Sequence, residues 1–180
     1  MDCLSDNCIV VYSFNVGSLL MSEIIKVGMA DLKTCLPPNG ITTLGLGSCV
    51  GIALRDKMNK VGGLAHIMLP DSTVIANQTN LAKFADTGIA ELIRQMEALG
   101  ASKRNLVAKI AGGAMMFAVN SRSSMNVGER NVEAVKKKLK EFGIPILAED
   151  CGLNFGRTVI FYPETGDYVI KAVGKPEKTI

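Results

Sequence analysis

Two adjacent strand-like segments constrain the fold of this chain more than any other feature. Residues 42–56 alternate apolar or β-branched residues with small ones, and residues 60–69 resume this pattern after a polar break at 57–59. The pattern predicts an antiparallel hairpin. A turn centred between Lys57 and Met58 would place Cys49 directly opposite His66, with Cβ atoms about 4.5–5.5 Å apart.

The same register predicts two different faces. One face collects the branched apolar side chains, which are Val50, Ile52, Leu54, Val61, Ala65, Ile67 and Leu69. The other face collects Cys49, Gly51, Ala53, Gly62 and His66. We expect the first face to be core. The second, lined by small residues, is expected to be open to the approach of a ligand.

Cys49 and His66 together suggest thiol chemistry. A free thiol has a pKa near 8.5, so a nucleophilic cysteine is expected to have its pKa lowered by a neighbouring imidazole or helix dipole. His66 is the single histidine of the chain. It could take the thiol proton, donate it to a leaving amine, and later deprotonate the water that clears an acyl-enzyme.

Two further roles have candidates in or near the same segment. The N–H groups beside Gly47 and Ser48, and those of Gly62 and Gly63, are candidate substrate or oxyanion-binding groups. The group that orients the His66 ring is left open among Thr43, Asp56 and Asp71. Residue chemistry alone favours a carboxylate, which stabilises imidazolium better than a hydroxyl does.

Simpler interpretations stand beside this one. A cysteine among Val and Gly is usually a small buried hydrophobe, and a lone histidine on a strand is usually structural. The glycine-rich loop lacks the spacing of a phosphate-binding loop. Residues 47–51 match a nucleophile elbow with Cys in place of Ser, but that motif requires a helix after the nucleophile.

Composition excludes several classes of protein. The chain has 180 residues, of which 48% are hydrophobic and 21% charged, as in one ordinary globular domain. A net charge of +3, 5% aromatic residues and no Trp give nucleic-acid binding little support. Five cysteines without a CxxC pair predict neither a zinc site nor a disulfide scaffold, and no cofactor is predicted.

The N-terminal region differs from the rest of the chain. Residues 9–20 are apolar, but no basic residue precedes Lys26, so they fit neither a signal peptide nor a membrane-spanning helix. We therefore expect a cytoplasmic protein without membrane insertion. We expect residues 1–21 to be an extension and residues 22–180 to form a single domain.

The remaining pattern predicts the fold class. Apolar residues at steps of three and four predict a helix over 81–99, and Asn126 with Glu129 resembles a capping box that begins a second helix. Strands are predicted over 24–30, 105–111, 145–148, 157–162 and 168–173. This order favours a layered α/β sandwich, in which mixed β-sheet is covered by two main helices.

Two segments in order, residues 43–51 and 62–72, closely resemble the signature of the chemoreceptor glutamine deamidase CheD family. The resemblance continues through residues 109–117, 128–131 and 156–158, and it covers roughly residues 22 to 175. It departs at Leu153, where the family pattern Asp-x-Gly-Gly-Asn-x-Gly-Arg would have a second glycine after Gly152. The shape of that loop is left open.

The resemblance implies a function and a site. It implies an α/β enzyme that converts glutamines on the cytoplasmic helices of methyl-accepting chemotaxis receptors to glutamates, with release of ammonia. The catalytic residues would be Cys49 as nucleophile, His66 as general acid and base, and Thr43, instead of a carboxylate, as the group that orients His66.

The resemblance also implies binding and regulation of a CheC-type chemotaxis phosphatase. The alternatives are a regulatory binding module for that phosphatase, a receptor methylesterase using the same thiol, and an unrelated cysteine peptidase.

Overall fold

The computed structural model describes residues 22–74, 79–116 and 126–180. The predicted N-terminal extension, residues 1–21, lies outside them. The elements follow the order β1 (Ile24–Val27), β2 (Asp31–Cys35), β3 (Gly40–Leu46), β4 (Val50–Asp56), β5 (Gly62–Ile67), α1 (Ala85–Ala98), β6 (Leu106–Gly112), α2 (Val127–Glu141), β7 (Ile146–Cys151), β8 (Arg157–Phe161), β9 (Tyr168–Lys171) and β10 (Lys178–Thr179).

The strands form two five-stranded sheets. The first sheet has the order β1-β3-β8-β9-β10, and the second has the order β2-β5-β4-β6-β7. Each sheet contains one parallel pair, β1 with β3 and β6 with β7, among antiparallel ones. The predicted layered α/β sandwich with mixed sheets and two main helices is confirmed.

The predicted hairpin exists, but its register is shifted by two residues. His66 lies opposite Gly51 instead of Cys49, and Val50 lies opposite Ile67. The turn is longer than expected because the Asp56 carboxylate accepts hydrogen bonds from the N–H groups of Met58 and Asn59, at 2.8 and 3.0 Å. Because side chains alternate with a period of two, a shift of two keeps every side chain on its predicted face.

Each face of the second sheet packs against a different layer. The helix-side core combines Val50, Ile52 and Leu54 with the apolar faces of α1 and α2. The inter-sheet core lies between the two sheets and includes Leu46, Ala53, Leu64, Ala111 and Tyr168.

The pattern suggested that the small-residue face is open, but in the structure it is not open along its length. The first sheet covers it, and a Cβ on Gly51 would lie 2.7 Å from the Tyr168 hydroxyl oxygen. Small residues here let the two sheets approach each other closely.

Both predicted helices are present. The Asn126 side chain accepts a hydrogen bond from the Glu129 N–H at 3.0 Å, as expected for the start of α2. Val135 and Leu139 of α2 are buried in the helix-side core, as are Ile89 and Leu92 of α1. None of the helices in the described ranges is long and apolar enough to cross a membrane.

Candidate active site

A hydrogen bond joins His66 to the opposite sheet. His66 Nδ1 on β5 lies 2.8 Å from the Thr43 hydroxyl oxygen on β3. The same hydroxyl donates to the Val27 carbonyl oxygen at 2.9 Å. Because a hydroxyl has one proton, it must accept its second bond from Nδ1–H. The network thus assigns the tautomer and leaves Nε2 as the unprotonated nitrogen.

The free nitrogen of His66 is buried and unpaired. The residue is fully buried, and Nε2 has no hydrogen-bond partner among the described residues. Burial lowers the pKa of His66 to about 4, so the ring is neutral near pH 7. An unpartnered buried acceptor costs about 1–3 kcal/mol, and here it leaves a lone pair ready to take a proton.

Cys49 lies at the edge of the same inter-sheet layer. It is half-buried in a bend, residues 47–49, that directly precedes β4. Its side chain packs against the inter-sheet core, into which Thr43 and His66 also project. Since Gly51 is opposite His66, Cys49 is a diagonal neighbour of the histidine across the hairpin. The structure brings Cys49, His66 and Thr43 to one region.

The thiol is not pre-ionised. Burial raises the pKa of Cys49, and the residue's own N–H opposes that rise. The lowered pKa expected from the sequence is therefore wrong for the resting state, because a neutral imidazole offers no positive charge to a thiolate. Thiol and imidazole are both neutral before substrate binds.

The end of β6 and the two residues after it hold the loop that carries Cys49. The N–H of Gly113 donates to the Cys49 carbonyl oxygen, and that of Ala114 donates to Gly47, both at 2.8 Å. A Cβ at Gly112, where φ is +114°, would lie 2.2 Å from the Cys49 carbonyl oxygen. Any larger residue at this position would displace the loop that carries Cys49.

Asn131 is a site residue that the residue patterns missed. It is fully buried on α2, and its Nδ2 donates to the carbonyl oxygens of Ser48 and Met68, both at 2.9 Å. A signal was present in the sequence, because Asn131 falls on the apolar stripe that contains Val135 and Leu139. A polar residue there needs a buried partner.

The N–H groups near Cys49 differ in whether they already have a backbone acceptor. The Gly47 N–H is already bonded to the Gly45 carbonyl oxygen at 2.9 Å, so it cannot serve. In the described part of the chain, the Ser48 N–H has no acceptor and the Cys49 N–H has only its own sulfur. The Ser48–Cys49 segment is thus the remaining candidate near the thiol.

Gly62 and Gly63 are not brought to the site. They lie at the opposite end of β5 from His66, where Gly62 pairs with Arg55. A Cβ on Gly62 would lie 2.2 Å from Pro163, and one on Gly63 would lie 2.7 Å from Leu92. Both glycines permit close packing of the layers, which explains why glycine occurs at these positions without a role in binding.

Neither carboxylate reaches the histidine ring. Burial would raise the pKa of Asp56, but hydrogen bonds, chiefly from Ser102 and Asn59, outweigh it and lower the pKa to about 2. Asp71 accepts a hydrogen bond from the Thr73 N–H at 2.8 Å. Thr43 is therefore the member of the predicted set that contacts His66.

A buried arginine supports the loop after β7. Arg157 donates from Nε to Asp150 Oδ1 at 2.7 Å and from Nη1 to the Gly152 carbonyl oxygen at 3.1 Å. Leu153, which replaces the expected glycine, adopts a φ of 62°. Its carbonyl oxygen accepts from the Met115 N–H at 2.8 Å. The loop therefore keeps a left-handed conformation with a leucine in the position that glycine favours.

Comparison with known proteins matches most of this chain to one family. A family model described as CheD chemotactic sensory transduction matches residues 68–172. The chain is 63% identical over 161 residues to the probable chemoreceptor glutamine deamidase CheD of Lachnoclostridium phytofermentans, covering 89% of this chain and 100% of the relative.

Two further relatives extend the match to other bacteria. The chemoreceptor glutamine deamidase CheD of Halalkalibacterium halodurans is 54% identical over 162 residues, covering 89% of this chain and 100% of the relative. The probable chemoreceptor glutamine deamidase CheD of Moorella thermoacetica is 48% identical over 165 residues, covering 91% and 99%. With relatives matched over nearly their whole length, this chain belongs to the CheD family.

Proposed function

We propose that this protein is a chemoreceptor glutamine deamidase that acts in the cytoplasm with Cys49 as nucleophile. His66 carries protons, and Thr43 orients its ring. The observation that carries the proposal is the Thr43–His66 hydrogen bond, which leaves an unpartnered Nε2 in the layer where the Cys49 thiol packs. The names of the relatives support the substrate class.

The first half of the reaction releases ammonia. The Cys49 sulfur attacks the carboxamide carbon of a glutamine side chain as the thiol proton passes to His66 Nε2. The new C–S bond gives a tetrahedral oxyanion, which N–H groups of the Ser48–Cys49 segment stabilise. The C–N bond then breaks, and Nε2–H gives its proton to the departing nitrogen. The products are ammonia and a thioester on Cys49.

The second half restores the enzyme. His66 Nε2 takes a proton from a water molecule as the water oxygen attacks the thioester carbon. The C–S bond breaks, the proton returns to the Cys49 sulfur, and a glutamate side chain leaves. Throughout both halves the Thr43 oxygen accepts from Nδ1–H, which keeps the ring oriented and stabilises its transient positive charge.

The neutral resting pair suits this mechanism. A thiolate formed in advance would require a charged His66, and burial with a pKa of about 4 disfavours that state. Proton transfer is instead coupled to attack, so His66 is charged only while an anion forms beside it. We therefore expect Cys49 to react slowly with simple alkylating agents and faster with a bound carboxamide.

The surroundings of the thiol fit a protein substrate. Met116 packs against Gly47 of the cysteine loop, yet it is 45% exposed. Such an apolar side chain favours contact with an apolar surface such as one face of a receptor helix. A glutamine side chain is long enough to extend from that helix to a half-buried sulfur.

The experiment is mass spectrometry of receptor cytoplasmic fragments incubated with the protein, together with an ammonia assay. We expect conversion of specific carboxamides to carboxylates, and complete loss of conversion in Cys49→Ala. The matched control is Cys151→Ala, because Cys151 is also half-buried and burial raises its pKa to about 12. Ammonia release by Cys49→Ala equal to that of the unmodified protein would reject the proposal.

Two related activities share this surface. A methyl ester on a receptor glutamate could undergo the same attack, with methanol as the leaving group, and parallel assays on glutamine and methyl-glutamate peptides separate the two substrates. Binding and regulation of a CheC-type phosphatase is a second proposal, supported by the exposed apolar groups Leu44 and Met116. Cys49→Ala tests it separately, since binding needs no thiol.

A further inference from the structure

Asn131 joins the two segments that carry the catalytic pair. One hydrogen of its side-chain amide goes to the carbonyl oxygen of Ser48, the residue before Cys49. The other goes to the carbonyl oxygen of Met68, two residues after His66. Among the described residues, no other group donates to either carbonyl oxygen. A single side chain on α2 therefore links the loop that carries Cys49 to the residues that follow His66, in addition to the bonds from Gly113 and Ala114.

The orientation of the amide follows from the contacts themselves. Both partners are carbonyl oxygens, so only the NH₂ group can face them, and a flipped amide would place three oxygens together. Oδ1 is left buried with no partner among the described residues. A buried acceptor without a partner costs folding free energy, and the two hydrogen bonds that Nδ2 donates offset that cost.

The Ser48 carbonyl oxygen belongs to the peptide group that contains the Cys49 N–H. In a planar trans peptide the C=O and N–H bonds point in opposite directions. When Asn131 holds the carbonyl oxygen toward α2, the Cys49 N–H must point away from α2. That N–H lies close enough to the Cys49 sulfur to oppose the rise of the thiol's pKa.

Neighbouring contacts do not set this peptide plane. The bonds from Gly113 and Ala114 hold the carbonyl oxygens of Cys49 and Gly47, which belong to the peptides on either side. These bonds come from the end of β6, whereas Asn131 approaches from α2. The peptide between Ser48 and Cys49 depends on Asn131.

We propose that Asn131 is a positioning residue for the deamidation: it turns the Ser48–Cys49 peptide so that the Cys49 N–H faces the developing oxyanion, and it holds this peptide in register with His66. The inference rests on the proposed function and adds the residue that aligns its oxyanion donor. A purely structural role, in which Asn131 only docks α2, is the competing explanation.

The test compares Asn131→Ala with Val135→Ala. Val135 is fully buried on the same stripe of α2 and has no polar group to donate to the cysteine loop, so its truncation also loosens the helix. We expect Asn131→Ala to lower kcat per folded molecule roughly tenfold to a hundredfold with KM little changed, because it misdirects an oxyanion donor. Val135→Ala should reduce thermal stability and leave kcat within about twofold of the unmodified protein.

A second variant covers the case in which Asn131→Ala fails to fold. Asn131→Ser keeps one donor and leaves room for a water molecule, and we expect a smaller loss of kcat in the same direction. Unchanged kcat in a folded Asn131 variant, or a change confined to KM, would overturn the proposal. Equal kcat losses in the Asn131 and Val135 variants would also overturn it, since they would point to helix docking alone.

A separate readout does not depend on receptor deamidation. The rate at which chloroacetamide alkylates Cys49 follows the thiolate fraction, which the Cys49 N–H increases. We expect Asn131→Ala to react roughly three- to tenfold more slowly than Val135→Ala at the same pH. If the unmodified protein deamidates nothing, the proposed function fails, but this comparison still decides whether Asn131 orients the peptide. Equal alkylation rates would count against it.

Discussion

The two faces of the second sheet bury different kinds of groups. The helix-side core consists mainly of apolar side chains from β4, β5, α1 and α2, with Asn131 as a buried polar residue on α2. The inter-sheet layer instead includes Thr43, His66 and Arg157, and three polar atoms there lack a partner in the part of the chain that the structure describes: His66 Nε2, Arg157 Nη2 and the Tyr168 hydroxyl.

The helix-side face of the second sheet therefore contributes mainly to stability, and the inter-sheet face carries the groups proposed to take part in chemistry. Each unmatched buried polar atom costs about 1–3 kcal/mol, which the apolar packing on the other face must offset. In return, the inter-sheet layer holds a histidine in a defined tautomer, with its lone pair free. On the helix side, the unpartnered polar atom found within the described ranges is Asn131 Oδ1, which lies where α2 reaches the cysteine loop.

The largest expected effect compares two leucines on opposite faces. Leu92→Ala truncates a fully buried side chain of the helix-side core and should cost about 2–5 kcal/mol of unfolding free energy, with kcat per folded molecule unchanged. Leu64→Ala, equally buried in the inter-sheet core two residues from His66, should cost a similar amount and also lower kcat. Urea denaturation and activity per folded molecule would measure both. Equal kcat in the two variants would contradict the different roles of the two faces.

Acid should destabilise the inter-sheet layer through His66. Its pKa falls from 6.5 to about 4 on burial, so the unfolded chain binds a proton in this window that the folded chain does not. Stability should therefore decrease as pH falls from 6.5 toward 4, by about 3 kcal/mol in total, with no further loss from this group below pH 4.

The matched control for this pH dependence is His66→Gln, which cannot titrate. Asp56 does not interfere, because its pKa is lowered from 3.8 to about 2 and its contribution is lost only below that window. Between pH 7 and pH 4.5, the unfolding free energy of the unmodified protein should decrease by more than that of His66→Gln. Parallel curves would show that His66 is not buried as a neutral ring.

A smaller effect is expected from the hydroxyl that orients the ring. Thr43→Val keeps the shape but leaves His66 Nδ1–H and the Val27 carbonyl oxygen without their partner. We expect kcat to fall roughly tenfold to a hundredfold, as for the loss of a buried hydrogen bond. Thr43→Ser retains the hydroxyl and should stay within severalfold of the unmodified protein. Equal activity of the Val and Ser variants would exclude an orienting role.

The smallest effect concerns strain beside the site. Leu153 is 66% exposed and has a φ of 62°, so a side chain that buries little is held in a left-handed conformation. Leu153→Gly should raise the unfolding free energy by up to about 1 kcal/mol. Leu147→Gly, at an exposed position within β7, should lower it by about the same amount. Loss of stability in both variants would show that Leu153 is not strained.

The elements that were predictable from the sequence depend on local rules. The capping box of Asn126 and Glu129 begins α2 as expected, and the alternation of residues 50–54 and 61–67 assigns faces correctly. The register was predicted two residues out, because the Asp56 carboxylate stabilises a longer turn than the residue types suggested. The faces were nevertheless predicted correctly, because a shift of two residues does not change the alternation of side chains.

The site itself was only partly predictable. Cys49 and His66 were identified from residue type and parity, whereas Thr43 came from family resemblance, since residue chemistry alone favoured a carboxylate. The N–H groups of Gly62 and Gly63 were predicted to bind substrate or an oxyanion, but Pro163 and Leu92 pack closely against these two glycines. Asn131 depends on a contact with Ser48 across 83 positions of the chain, which no local pattern encodes.

By itself, the sequence determined which side chains share a face, where α2 begins, and that Cys49, next to β4, and His66, on β5, belong to neighbouring segments of one hairpin. These properties follow from backbone periodicity, which operates over a few residues. The packing of one sheet on another decided the rest: a neutral, buried His66 with a free Nε2, a thiol whose pKa is raised, and a hydroxyl partner for Nδ1. Desolvation and hydrogen bonding depend on surroundings contributed by distant parts of the chain, so they arise only when the layers assemble.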